Sequence, residues 1–129
     1  MNVLYVKESQ NSISKIEEQL QNAIKAHKFG VLGIIDLKSK MGDKGVEFEN
    51  DCKIYEICNP SRAKQVLEQE MSISTVLPCR ISIYKEGSKV KVATMLPTAT
   101  LKLFEVPGLA PVAEEVEKDI KAMVDEAVS

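Results

Sequence analysis

The chain has 129 residues, 44% hydrophobic and 28% charged, with a formal net charge of -2 at pH 7. This fits one soluble domain over residues 1–129, long enough to bury a core without disulfides or a metal. Basic residues form neither a block nor an aromatic-interleaved stripe, which argues against nucleic acid as a partner, and no apolar run is long enough to span a bilayer.

Met1 to Lys7 has no charged segment followed by a long apolar run, so a cytosolic protein is expected. Leu4, Tyr5 and Val6 suit a short first strand, ended by the polar run Glu8 to Ser12. Ser14-Lys15-Ile16-Glu17 has the spacing of a capping box, and Ile13, Ile16, Leu20, Ile24 and His27 then give one helix an apolar stripe. Gly30 stands where a left-handed residue would stop that helix. Val31 to Leu37 is aliphatic on both faces, which predicts a central strand. From Ser39 to Asn50, Gly42 and Gly45 among charged residues predict a short helical turn or a mobile connection. Cys52 to Cys58 forms the next strand, with Ile54 on one side and Tyr55 and Ile57 on the other.

Asn59-Pro60 is a strong helix start, because Asn caps well and Pro at the first helical position loses no hydrogen bond. Ala63, Val66, Leu67 and Met71 supply that helix's buried stripe, and Ile73 to Leu77 returns as an extended segment. Pro78 then opens a strand, and Arg80 to Tyr84 with Lys89 to Val92 alternate as a hairpin around Lys85-Glu86-Gly87-Ser88. Pro97 to Phe104 adds a short helix broken at Val106-Pro107-Gly108. The last helix starts near Pro111 and turns Val112, Val116, Ile120, Met123 and Val124 inward, with Glu114, Glu115 and Glu117 complementing its N-terminal dipole. The order β-α-β-β-α-β-β-α predicts an α+β fold, an antiparallel sheet with helices covering one face.

No full catalytic motif is present. Three cysteines in a reducing compartment are expected as free thiols. Cys58 precedes a helix N-cap, where unpaired N–H groups favour a thiolate. If the strands ending at Cys58 and starting at Cys79 are antiparallel neighbours, both thiols emerge at one end of the sheet. The plainer alternative is that each packs as a small hydrophobe. Cys52 shares the parity of Cys58 but lies roughly 20 Å away along the strand, too far for a disulfide, and reads as structural. A zinc site from His27 and the cysteines lacks paired spacing, and His27 is explained by packing and helix-dipole pairing. Asp36 and Glu56 read as solvated strand acids, and Gly30-x-x-Gly33 precedes a strand, so it is no phosphate loop. No cofactor motif is found.

Gly30-Val31-Leu32 leading to Ile35-Asp36, then Cys58-Asn59-Pro60, then Leu77-Pro78-Cys79 resemble the domain-of-unknown-function 302 family. The resemblance runs from the first helix to the last. It implies a TATA-binding-protein-like α/β fold, a homodimer, and a site at Cys58, Asn59, Pro60, Leu77, Pro78 and Cys79, with no established reaction. Where that family often has an acid before the later proline, this chain has Met95-Leu96-Pro97. The expected function is a small-molecule-binding module at Cys58 and Cys79. One alternative is a thiol-dependent redox or sulfur-transfer enzyme with Cys58 as nucleophile and Cys79 as resolving thiol; another is a structural protein in which both merely pack.

Overall fold

The computed structural model describes residues 2–129. Five segments with strand-like alternation, β1 (Leu4–Ser9), β2 (Gly30–Asp36), β3 (Cys52–Cys58), β4 (Cys79–Glu86) and β5 (Lys89–Met95), pair into one sheet. Its order is β1-β5-β4-β3-β2, with every neighbouring pair antiparallel. Two long helices, α1 (Ile13–Ala26) and α5 (Ala110–Val128), cover one face. The α+β fold expected from the element order is therefore the one observed.

The core follows from period two meeting period 3.6. Tyr55, Ile57, Ile81, Ile83, Val90 and Val92 point to the helices, and Ile16, Leu20 and Ile24 from α1 meet Ile120, Met123 and Val124 from α5. All are at most 2% exposed. Each aliphatic side chain buried this way contributes about 1.5–3 kcal/mol, so truncating Leu20 to Ala costs about 2–5 kcal/mol.

Helix α1 starts earlier than its capping-box spacing suggests. Ser12, not Ser14, is the N-cap, its hydroxyl accepting from the Lys15 N–H at 3.2 Å. Glu17 instead turns to the sheet, where it accepts from Tyr55 Oη at 2.6 Å and Lys53 Nζ at 3.0 Å. Its other end is also displaced: Lys28, with φ 64°, takes the left-handed turn expected of Gly30, and Gly30 opens β2. The chain must reverse before Phe29, because Phe29 enters the core.

Strand β2 is an edge strand, not a central one. Val31, Leu32 and Ile34 are 42%, 66% and 47% exposed. Its aliphatic composition is real, but β3 is flanked on its other side by β4, and no strand among the described residues pairs with the outer side of β2. An irregularity in register between Val31 and Gly33 interrupts the ladder there, as bulges on edges commonly do. Asp36 then caps α2 (Leu37–Asp43), accepting from the Ser39 N–H at 3.0 Å, so it is a helix cap and the stretch after it is partly helical.

Between β3 and β4 lie α3 (Pro60–Leu67) and a 3₁₀ segment, Met71–Val76, in place of the expected extended return. Local bonds win there: Ser72 Oγ donates to Glu70 at 2.6 Å and Thr75 Oγ1 donates to the Ser72 carbonyl at 2.8 Å. Met71 is exposed, and Ile73 takes the buried place instead. After β5, α4 (Pro97–Lys102) has no side-chain cap of its own; Glu117 from α5 serves, accepting from the Thr98 N–H at 3.1 Å and its hydroxyl at 2.6 Å. A second cluster, Val66, Ile73, Leu101, Leu109 and Ala113, ties these short elements to α5.

Neither α1 nor α5 lies on the second face of the sheet. Register places Val6, Ala93, Ser82, Ile54 and Ile35 side by side in one row across all five strands of that face. Charges on this face are paired within the chain, Glu8 with Lys89, Glu86 with Lys91 and Glu56 with Arg80.

Candidate functional site

The β3–β4 ladder sets the geometry. Ile57 pairs with Cys79, so the end of one strand meets the start of the next, as antiparallel neighbours. The chain between them, α3 and the 3₁₀ segment, arches over this end of the sheet. Asn59 fixes the departure, its Oδ1 accepting from the Ser61 and Arg62 N–H groups at 3.1 and 3.2 Å, with Pro60 at the first turn. On the return, Leu77 and Pro78 are joined by a cis peptide, and Cys79 begins β4.

Under this arch, closed on its far side by α4, is a cavity of about 410 Å³. Cys58, Asn59, Leu77, Pro78 and Cys79 border it; Pro60 does not. The fold thus brings five of the six site residues around one space. Sequence reasoning missed other parts of the wall, among them Arg62 and Val66 from α3, Thr94 from β5, and Thr100 and Leu101 from α4. Val66 carried a signal in the stripe of α3. Thr94 carried none, since it arrives from the far side of a hairpin, and α4 was marked only at Met95-Leu96-Pro97, of which Met95 and Pro97 also border the cavity.

The walls are mostly aliphatic, and the threonine hydroxyls and arginines in them are engaged. Thr94 Oγ1 donates to the Arg80 carbonyl at 2.8 Å, Thr75 Oγ1 to that of Ser72 at 2.8 Å, and Thr100 Oγ1 to that of Leu96 at 3.2 Å. Arg62 is paired with Glu115, and Arg80 Nη2 lies 3.5 Å from Glu56 Oε2.

The thiols differ from expectation in two ways. Burial pushes the Cys58 thiol up, and it pushes Cys79 to about 11, with the nearby Cys58 adding to the effect. The dipole argument fails because the Asn59 side chain occupies two of the free N–H groups of α3, leaving desolvation to dominate. Moreover, Cys79 shares a register position with Ile57, so the Cys58 and Cys79 side chains leave their strands on opposite pleats. The chain's single histidine lies elsewhere, with Nδ1 of His27 3.0 Å from Asp119 and Nε2 2.7 Å from Glu126. Cys52 sits opposite Tyr84 at the other end of β3. No group of three His, Cys, Asp or Glu residues that could hold a metal occurs among the described residues. Among these residues no helix is long and apolar enough to cross a membrane.

A family model described as "Domain of unknown function DUF302" matches residues 5–127. The chain is similar to the crystal structure of an uncharacterized conserved DUF302 protein from Bacillus stearothermophilus, at 28% identity and a TM-score of 0.93, covering 98% of this chain and 99% of that one. No curated protein matches.

Proposed function

The chain belongs to the DUF302 family, and from that premise we propose that it is a small-molecule-binding module whose ligand occupies the cavity at the Cys58 and Cys79 end of the sheet. One observation carries this reading: a preformed space of about 410 Å³, within the range of ligand sites, bordered by Cys58, Asn59, Leu77, Pro78 and Cys79. The redox alternative draws no support from the geometry, because both thiols are held protonated and no histidine stands beside them. Three free thiols favour a reducing compartment, and we place the protein in the cytosol.

The partner we propose is a second copy of the chain, seated on the uncovered sheet face. Two features support it: the row from Val6 to Ile35, apolar except at Ser82, and flanking charges already neutralised within the chain, so that like copies meet without net repulsion.

A fragment library screened by amide chemical shifts tests the binding site. Hits are expected to move Ile57, Cys58, Leu77, Cys79 and Leu101 together. Hits that consistently map elsewhere, or no hits, would remove the reading.

A further inference from the structure

Resting on the reading of this cavity as a ligand site, we propose that it selects an uncharged, largely hydrocarbon molecule and rejects an anion of the same shape. The hydrogen-bonding groups in the wall carry the argument. The three threonines bordering the cavity each donate their hydroxyl to a backbone carbonyl, of Ser72, Arg80 and Leu96, and so offer a ligand no free donor proton. Asn59 commits its Oδ1 to the start of α3. Its amide nitrogen is left as a neutral donor, enough for one uncharged acceptor such as a hydroxyl or carbonyl oxygen.

Of the two arginines that border the cavity, Arg80 turns its side chain to the open face of the sheet, so Arg62 is the cation that could have made it an anion site. Each faces its own carboxylate: Arg62 pairs with Glu115 across to α5, and Arg80 lies against Glu56 across the β3–β4 ladder. A ligand carboxylate would meet at Arg62 a guanidinium whose charge Glu115 already balances. Deeper in, the walls are Ile57, Val66, Leu77 and Leu101, where a bare anion loses hydration with no donor in exchange. The thiols report the same environment independently, since burial disfavours the negative charge on both Cys58 and Cys79.

The test compares two ligands of one chain length, 1-decanol and decanoate, at about pH 8 where the acid is ionised. The readout is saturable amide shifts at Ile57, Thr94 and Leu101 of the full chain. Decanol is expected to bind there, and decanoate to bind at least about tenfold more weakly. Decanoate binding as tightly as decanol at those amides would overturn the uncharged-ligand assignment while leaving the cavity reading intact. Failure of both compounds to move those amides, or shifts confined to residues outside the cavity, would remove both readings together.

Discussion

Cys79 stands across the β3–β4 ladder from Ile57 and not from Cys58, so the two thiols at this end of the sheet project from opposite pleats although both border the same cavity. Their surroundings act alike on both: loss of water favours the protonated form. The cavity is therefore an apolar space edged by two thiols that burial keeps in their protonated form.

Alkylation follows from this. Iodoacetamide should modify Cys58 only as pH rises above the ordinary cysteine range, and Cys79 should stay unmodified in the folded protein until about pH 11. Peptide mass spectrometry across a pH series reads both. Rapid labelling of Cys58 at neutral pH would contradict the burial argument. The linked stability has a definite sign: a thiol whose folded value is raised from 9.0 to about 11 binds its proton longer when folded, so stability should fall between those values as pH rises.

His27 should make the α1–α5 contact sensitive to pH in a different window. The Glu126 hydrogen bond raises its pKa, burial works against this, and Asp119 adds to the rise. The folded state therefore holds the imidazolium more tightly than the unfolded state. Its contribution is complete below the unfolded value of 6.5 and disappears as pH climbs through the higher folded value. Denaturant melts of the wild type and His27→Gln should differ by about 1 kcal/mol at acidic pH and converge on the alkaline side. Parallel curves throughout would show that the charge plays no part.

Glu117 caps a helix that is not its own. Burial pushes its carboxyl up, but the Thr98 hydroxyl and N–H, with Lys121, outweigh this and hold it below the usual range. Its stabilisation is present above the unfolded carboxylate value and is lost as pH falls through the depressed folded one. Glu117→Ala should cost about 1 kcal/mol, as for other lost caps, and should loosen α4 against the cavity. Hydrogen exchange at Thr100 and Leu101 would detect that loosening; unchanged protection would mean that packing alone holds α4.

Association through the open face should depend on its apolar side chains. A charge placed in the apolar row, Val6→Glu with Ile54→Glu, should convert the proposed dimer to a monomer without unfolding it, since neither side chain lies in the helix-facing core. Light scattering measures the mass and circular dichroism confirms the fold. A wild-type chain of monomer mass, or a double variant that remains dimeric, rules out this interface.

Features legible in the sequence share one property: their partners are close along the chain. The Asn59 cap bonds to N–H groups two and three residues away, the hairpin closes on Gly87 at φ 65°, and the stripes of α1 and α5 repeat within their own turns. Local geometry alone dictates these, so residue type and spacing suffice. The edge position of β2 was not legible, because an aliphatic strand reads the same whether or not another strand lies beyond it. Nor was the state of Cys58, where a local dipole argument points to thiolate and desolvation by chain segments remote in sequence points the other way. The cavity belongs to the same class: α3, the 3₁₀ arch, Thr94 and α4 come to one place only after the sheet has paired. The sequence by itself determined most of the strands and helices and their order; only the tertiary structure decided which apolar surfaces lose water, because burial is set by neighbours distant along the chain.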